Sequence, residues 1–320
     1  MLLVFIESYG QVAVQGSSFS PQVDALLRAG TTTLSDAGFS TRSAFLTSPT
    51  FGGGSWLAHS TTESGLWISN QTRYQQLAAA KRLTLSEAFA RGGWRTVFDL
   101  PATTGRWAEG PRLYHYDTLY DSTNVGYAGP PFSFAKIPDQ YTLQALDDRE
   151  LAPTSRRPLF AEVVLDSSHS PWTPLPHMVP WNDLGNGAIF GPMTFKAQSP
   201  VAVLASSTRA KAAYAQSVEY TLSALISFLA RSHDKNLVVI ALGDHQPAPI
   251  VSGYDATHNV PVMIFAKDSK VIDRIAGWGW QPGLLPSPTA PVWRMDTFRD
   301  RFLKTFGPRG AATVGASGAG

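Results

Sequence analysis

Six short runs of apolar and β-branched residues, separated by helical patterns, constrain the fold of this chain more than any other feature. The runs have the character of buried strands and cover residues 2–6, 43–46, 95–98, 159–165, 237–242 and 260–266. Helical patterns lie between them at residues 21–38, 55–62, 83–91 and 206–233. Strands that alternate with helices predict an α/β fold with a mostly parallel central sheet and helices on both faces.

The rest of the chain divides into two loop-like stretches and a tail. Residues 103–158 are rich in Tyr, Pro and Asp, and residues 171–200 are similar, so we expect insertions or loops over one end of the sheet. Residues 307–320 are rich in Gly, Ala and Ser, which predicts a disordered tail. We therefore expect one domain over residues 1–306.

Composition excludes several classes of function. The chain has no Cys, which rules out disulfides, thiolate metal sites and a Cys nucleophile. Lys and Arg number 26 against 24 Asp and Glu, and no block of five like charges occurs, so we expect no nucleic-acid partner. The apolar run at 237–242 is far shorter than a membrane-spanning helix. The apolar start at 1–6 lacks a basic segment and a cleavage site, so it is not a signal peptide.

Polar residues stand at the ends of the predicted strands, on the edge where open α/β sheets bind ligands. They are Glu7 after the first strand, residues 166–169 after the fourth, Gly243-Asp244-His245 after the fifth and His258 before the sixth. Carboxylates and imidazoles without thiolates suit zinc, manganese or a similar divalent ion. Each of these residues also has an interpretation that involves no metal. Gly243-Asp244-His245 can be a turn that closes the strand, and His258 can be a structural histidine. Glu7 can cap a helix or pair with an Arg.

Ser55 is the sharpest single candidate for a nucleophile. Three glycines precede it and a helical pattern follows it, so the backbone there can take conformations that other residues disfavour. A Ser in this position can simply cap the helix. The same helix N-terminus also binds phosphate or sulfate, and a nearby metal would lower the pKa of the hydroxyl. Thr50 and Thr61 are weaker candidates.

Taken together, these residues resemble the alkaline phosphatase superfamily, in particular lipoteichoic acid synthases, phosphoethanolamine transferases and sulfatase-like proteins. The resemblance runs from Leu2 to about Phe306. The segments that carry it are Phe5-Ile6-Glu7-Ser8, Gly53-Gly54-Ser55, Ser64-Gly65-Leu66-Trp67, Ser168-His169-Ser170-Pro171, Gly243-Asp244-His245 and His258 just before Val260-Pro261.

The chain departs from the pattern of these relatives at two places. Sulfatases oxidise the first residue of a Cys/Ser-x-Pro-x-Arg motif, whereas residues 47–51 contain the proline but neither an oxidisable Cys nor the Arg. Lipoteichoic acid synthases have a Trp-x-Arg near the substrate phosphate, whereas Glu109 stands at that spacing after Trp107. Arg106 and Trp107 remain candidates for substrate binding, with packing of a surface loop as the alternative.

The resemblance implies a metal-dependent phosphotransferase or phosphodiesterase. It would act on a phospholipid-type or cell-envelope phosphodiester, with a lipid or glycan as substrate, through a covalent phospho-Ser55 intermediate. One or two Mn, Zn or Mg ions would be the cofactor. The implied metal ligands are Glu7, Ser55, Asp244, His245 and His258. His169 would protonate the leaving group or hold the donor, together with Arg106 and Trp107.

The resemblance also implies a location. Such transferases carry membrane helices ahead of an extracytoplasmic catalytic domain, and this chain begins within a predicted core strand. We therefore expect a sulfatase-like domain on the extracytoplasmic face of the membrane, with an N-terminal anchor ahead of it.

Three other functions are compatible with the sequence. One is a sulfatase-like hydrolase of sulfate or phosphate esters. Another is a serine esterase, because Ser55, Asp244 and His258 occur in the chain order of α/β-hydrolases, although Leu57 replaces the second glycine of the nucleophile elbow. The third is a non-catalytic module that binds an envelope glycan or lipid. Its sugar site would be lined by Trp67, Trp107, Tyr114, Tyr116, Tyr120 and Trp172.

Overall fold

The computed structural model describes residues 1–104, 107–195 and 197–307 of the chain. Within these residues, nine strands form one sheet. The strands are β1 Leu2–Ile6, β2 Ser40–Thr47, β3 Arg95–Leu100, β4 Thr118–Asp121, β5 Leu159–Leu165, β6 Val238–Gly243, β7 Asn259–Ala266, β8 Gln281–Pro282 and β9 Val292–Arg294.

Helices cover both faces of this sheet. The α-helices are α1 Ser20–Asp36, α2 Ser55–Ser64, α3 Gln71–Ala79, α4 Leu85–Arg91, α5 Gly110–Tyr114, α6 Asp139–Leu146, α7 Pro200–Leu204, α8 Ser207–Arg231, α9 Pro249–Ser252, α10 Ser269–Arg274 and α11 Phe298–Phe306. Short 3-10 and π turns lie between them, at Gln11–Ala13, Asp147–Leu151, Trp181–Asp183, Ala188–Thr194, Ala276–Trp278 and Met295–Thr297.

The sheet is mixed but mostly parallel, which confirms the predicted fold class. The strand order is β4-β3-β5-β1-β6-β7-β2-β8, and β9 pairs with β2. From β4 to β6 every neighbouring pair is parallel. β7 runs antiparallel to both of its neighbours, so its first residue lies at the edge where β1, β5, β6 and β2 end. The predicted polar residues therefore all border one edge of the sheet.

β1 forms the centre of the molecule because it lies between β5 and β6 and every one of its residues is fully buried. Side chains alternate between the two faces of a strand. Leu3 and Phe5 pack into the core beneath α4, α10 and α11, while Leu2, Val4 and Ile6 pack into the larger core beneath α1, α6 and α8. An unbroken apolar run is what a strand covered on both faces requires.

The stretch 103–158, predicted to be an insertion or loop system, also supplies regular structure to the core of the fold. It contains α5, the edge strand β4, which pairs with β3 in parallel, and α6, which packs against α8. β4 is only four residues long and α6 only eight, so neither has enough residues to produce a clear periodic pattern. No helix among the described residues has the length and apolar character needed to cross a bilayer.

Candidate active site

Two carboxylates are placed side by side by the register of the sheet. Ile6 pairs with Gly243 at the ends of the parallel strands β1 and β6, so Glu7 and Asp244 follow at the same level. A Cβ at Gly243 would lie 1.9 Å from the backbone oxygen of Tyr9, so the close approach of these two turns requires glycine. Both carboxylates are buried.

The turn after β1 is held in a conformation that side chains rarely adopt. Ser8 has φ +56°, and this strain is compensated by specific hydrogen bonds. Its N–H donates to Asp244 Oδ1 at 2.7 Å, its hydroxyl donates to Glu7 Oε1 at 2.8 Å, and its carbonyl accepts from Tyr214 Oη at 2.8 Å. The turn thereby fixes the orientation of both acids.

His245 presents one ring nitrogen to the two carboxylates. Its Nδ1 lies 2.8 Å from the carbonyl of Gln246, which can only accept, so Nδ1 carries the proton and Nε2 keeps its lone pair. Nε2 lies 3.4 Å from Glu7 Oε1 and 3.6 Å from Asp244 Oδ2. Such a backbone-oriented imidazole is typical of metal-binding histidines.

Ser55 is the first residue of α2, and its side chain does not cap the helix. The preceding Gly52, Gly53 and Gly54 all have positive φ (+68°, +149° and +81°), so this loop needs the freedom of glycine. The Ser55 hydroxyl instead donates to Glu7 Oε2 at 2.7 Å and lies 3.2 Å from His245 Nε2. The structure therefore brings together Glu7, Ser55, Asp244 and His245.

Burial and the closeness of the two carboxyl groups shift the pKa values of Glu7 and Asp244 in opposite directions. Burial opposes ionisation of Glu7, but His245 and His169 nearby and hydrogen bonds from neighbouring groups lower its pKa to about 2. Burial and the charge of Glu7 together raise the pKa of Asp244 well above its usual range. Ionisation of Glu7 thus disfavours ionisation of the adjacent Asp244.

These residues fit a divalent cation. Within the described residues, Glu7, Asp244 and His245 form a group whose ligand atoms all lie within 4.8 Å of one another. Asp244 Oδ2 is buried without a hydrogen-bond partner, which is costly unless something else satisfies it. Two carboxylates, an imidazole Nε2 and a serine oxygen suit zinc or manganese.

His169 lies on the turn that follows β5, and buried polar contacts position that turn. Asp139 accepts from Ser167 N at 3.0 Å and from Thr221 Oγ1 at 2.6 Å, while Ser168 Oγ donates to the Glu7 carbonyl at 2.5 Å. The His169 ring stacks on Phe134, with centroids 3.7 Å apart, and lines the cavity next to Ser55. The turn therefore holds His169 close to the carboxylates.

His258 lies apart from the converging ligand atoms. It is exposed on the bend before β7, its Nδ1 is 3.2 Å from the carbonyl of Ser48, and its ring is tilted against Phe51 at 5.3 Å. Its role as a metal ligand stays a prediction. The esterase order of Ser55, Asp244 and His258 is not assembled into a hydrogen-bonded triad, because Ser55 contacts Glu7 and His245.

A cavity of about 890 Å³ opens beside Ser55, within the size range of ligand sites. Trp107 lines it and donates from Nε1 to Tyr74 Oη at 3.2 Å. Glu109 lines it as well, and Arg106 lies outside the described residues. Trp67 of the proposed glycan set instead packs under Arg294, whose guanidinium carbon is 4.3 Å from the ring centroid.

Three buried polar residues beneath the site were not singled out from the sequence. His59 follows Ser55 by four residues on α2, so both lie on the same face of the helix. Its Nδ1 lies 3.3 Å from Glu162 Oε1 on β5, and Glu162 contacts Glu63. The i, i+4 and i, i+8 spacing of Ser55, His59 and Glu63 was the available signal. This spacing did not indicate a buried cluster, because polar residues on one face of a predicted helix usually face solvent.

Comparisons with known proteins agree on the fold. No family model matches the sequence, and no curated protein matches it. Among solved structures, the lipoteichoic acid synthase LtaP from Listeria monocytogenes matches with a TM-score of 0.58 at 13% identity, over 97% of this chain and 72% of that chain. The zinc complex of the C-terminal periplasmic domain of EcEptC from Escherichia coli matches with a TM-score of 0.60 at 12% identity, over 96% and 81%.

A third match is a protein in the alkaline phosphatase superfamily from Vibrio parahaemolyticus, with a TM-score of 0.53 at 16% identity, over 83% of this chain and 60% of that chain. At these identities the likeness defines the fold. The chain shares the fold of these three proteins, which confirms the fold that the resemblance to sulfatase-like proteins implied.

Proposed function

We propose that this chain is a metal-dependent phosphotransferase or phosphodiesterase that uses Ser55 as its nucleophile. The observation that carries the proposal is the contact of the Ser55 hydroxyl with both Glu7 and His245, next to an Asp244 oxygen that lacks a partner. The fold supports it, since a lipoteichoic acid synthase has the same architecture. The substrate class we propose is an envelope phosphodiester carried by a lipid or glycan.

Glu7, Ser55, Asp244 and His245 would hold the divalent ion, with His258 as a further candidate. A bound ion would polarise the serine oxygen and stabilise the negative charge that develops on phosphorus ligands. Zinc is supported by the zinc complex of the EcEptC domain.

The protein groups define the order of events. Ser55 Oγ attacks phosphorus and passes its proton to Glu7 Oε2, which already accepts its hydrogen bond; the new Oγ–P bond forms, and the P–O bond to the leaving group breaks in line with it. Glu7 returns this proton to Ser55 when the group is released. The N–H groups of Ser55 and Trp56, at the start of α2, have no acceptor within the helix and would be available to the phosphoryl oxygens. His169 gives its proton to the leaving alkoxide and later takes one from the water or acceptor hydroxyl that releases the group from Ser55.

The location we propose is the extracytoplasmic face of a membrane. The EcEptC domain with the same fold is periplasmic, which supports this location.

The cavity next to the nucleophile is lined by Trp56, Trp107 and Phe134, and this apolar surface suits a substrate with an organic leaving group.

Elemental analysis combined with turnover of bis(p-nitrophenyl) phosphate tests the proposal. We expect stoichiometric metal, and turnover that is lost with chelator. Ser55→Ala should lose turnover by on the order of 10³-fold or more, because the nucleophile is removed. Ser69→Ala, which changes an exposed serine just beyond α2, is the matched control and should keep full activity.

The other outcomes identify the alternatives. Chelator-insensitive hydrolysis of a carboxyl ester without metal would favour a serine esterase. Absence of both metal and turnover would favour a binding module, and hydrolysis of sulfate esters alone would favour a sulfatase-like hydrolase.

A further inference from the structure

The cavity next to Ser55 ends in a polar cluster for which the phosphotransfer chemistry has no use. His59, Glu63 and Glu162 are buried, and each carries one polar atom without a hydrogen-bond partner: Nε2 of His59, Oε1 of Glu63 and Oε2 of Glu162. Unsatisfied buried polar atoms are rare, and three in one contact group call for a physical explanation.

The two carboxyl groups, those of Glu63 and Glu162, are buried next to each other. Glu63 and Glu162 are in contact, and burial raises the pKa of Glu162 to about 8 and that of Glu63 well above its usual range. Two adjacent buried carboxyl groups do not ionise together, because each opposes the charge of the other. Ser86 fixes Glu63 Oε2, with its N–H at 2.8 Å and its hydroxyl at 2.9 Å. Glu63 Oε1 and Glu162 Oε2 keep no hydrogen-bond partner among the described residues.

His59 is left with one free lone pair. Glu162 Oε1 lies 3.3 Å from Nδ1 and is the polar neighbour on that side of the ring, so the neutral ring carries its proton on Nδ1 and leaves the buried Nε2 lone pair without a partner. Burial lowers the pKa of His59 to about 4, which keeps the ring neutral near pH 7. Phe5 stacks on the ring with centroids 3.9 Å apart and an angle of 17° between the planes, which fixes its direction.

The fixed acceptor belongs to the same cavity as the nucleophile. His59 and Glu162 both line the cavity, as do Ser55 and Glu7. His59 lies one helical turn after Ser55, about 6 Å along the axis of α2. A group attached to a phosphorus atom at Ser55 would therefore come within reach of His59.

We propose that His59, oriented by Glu162, is a specificity residue that accepts a hydrogen bond from the head group of the transferred phosphate ester. The head group must then carry a donor, either a hydroxyl or an ammonium group. This inference rests on the proposed function of Ser55. A buried acceptor left unpaired disfavours an analogue that lacks the donor, so the cluster selects as well as binds.

Matched pairs of chromogenic diesters test the inference. The hydroxyl pair is p-nitrophenyl glyceryl phosphate against p-nitrophenyl propyl phosphate, and the ammonium pair is p-nitrophenyl 2-aminoethyl phosphate against p-nitrophenyl ethyl phosphate. We expect kcat/KM to be about tenfold higher for the donor-bearing member of at least one pair, as one hydrogen bond to a buried group implies. The pair that shows the ratio identifies the head group.

Variants of His59 and Glu162 test whether the kcat/KM ratio depends on this polar cluster. In His59→Phe, which keeps an aromatic ring against Phe5, the ratio should fall to about one. Glu162→Gln can still accept from Nδ1 and should keep the ratio, whereas Glu162→Leu should lose it. His59→Leu, which also lacks an acceptor, is the second variant in case the Phe ring is not tolerated, and circular dichroism checks the fold of each.

A ratio near one for both pairs in the wild type, or a ratio unchanged in folded His59→Phe or His59→Leu, overturns the inference. Calorimetric binding of glycerol phosphate, aminoethyl phosphate and ethyl phosphate to the wild type and His59→Phe gives the same comparison without turnover. If no diester is hydrolysed, the proposed function fails, and the binding ratio still decides the role of His59.

Discussion

Asp244→Asn should make the metal-free protein more stable, although it removes a proposed metal ligand. Asp244 is fully buried, and its Oδ1 accepts from the N–H groups of Ser8 and His245, both at 2.7 Å. An Asn oxygen can keep both bonds. The amide then replaces Oδ2, which lacks a partner and lies beside the ionised Glu7.

The direction of the effect follows from the pKa of Asp244. Burial and the charge of Glu7 raise this pKa above the unfolded value of 3.8, so above that value the folded state holds a proton that the unfolded state releases. Each unit of this difference lowers the free energy of unfolding by about 1.4 kcal/mol. We expect Asp244→Asn to recover about 1–3 kcal/mol near neutral pH, the usual cost of one buried polar atom without a partner, or roughly 2–6 °C in Tm.

The pH dependence has a definite sign. The wild type should lose stability relative to the variant as pH rises from about 4, until the folded-state pKa of Asp244 is passed. Glu7 adds no slope above pH 5, because its pKa is lowered to about 2 and it is ionised in both states there. The difference between the two proteins should therefore widen from pH 4 toward neutrality.

Thermal and urea denaturation in the presence of a chelator measure this effect. Asp255→Asn, at an exposed position, is the matched control and should change nothing. Metal added at 100 times its Kd should stabilise the wild type by about 2.7 kcal/mol and leave Asp244→Asn unchanged. A metal-free Asp244→Asn less stable than the wild type at every pH would refute the reasoning.

Two further predictions concern the supports of the site. Asp139→Ala should lower the free energy of unfolding by about 1–3 kcal/mol in urea titrations, because Ser167 N and Thr221 Oγ1 lose their buried acceptor; Asp139→Asn should lose less. Gly54→Ala should cost about 1–2 kcal/mol, because Gly54 has φ +81° and a Cβ there would lie 3.0 Å from a side-chain oxygen, and it should also reduce turnover. Gly38→Ala, with φ +84° and open space around it, is the control and should lose stability without losing turnover. Equal turnover in the two glycine variants would contradict a role of the loop in placing the nucleophile.

The parallel core could be predicted because its strands carry unambiguous patterns. Leu2–Ile6 and Leu159–Leu165 begin and end where the apolar runs do, since both strands are covered on both faces. β2 extends three residues before its predicted start at Ser43 and one residue beyond its predicted end at Leu46. Polar residues such as Thr41 and Arg42 are compatible with a strand only because neighbouring strands pair with it, which the local pattern does not contain.

The candidate site likewise contains residues that a local sequence pattern predicts and residues that it does not. Glu7, Asp244 and Ser55 follow strand ends or glycines, so their convergence depends only on the order of strands and on local backbone. His59 and Glu162 come together because α2 crosses β5 at one particular place, and no local pattern encodes that crossing. The sequence therefore predicts the groups proposed to perform the chemistry better than the groups proposed to select the substrate.

The apolar core determines where the two acids of the site lie. Glu7 and Asp244 are adjacent because Ile6 and Gly243 are paired, and that pairing is fixed by the buried run of β1. A slip of one residue would turn every side chain of β1 to the opposite face, and the two cores would have to exchange Leu2, Val4 and Ile6 for Leu3 and Phe5. The packing energy of β1 thus offsets the cost of burying the two acids and the strain at the turn after them. The hydrophobic register holds the two acids next to each other, where a bound cation would stabilise both in their ionised form.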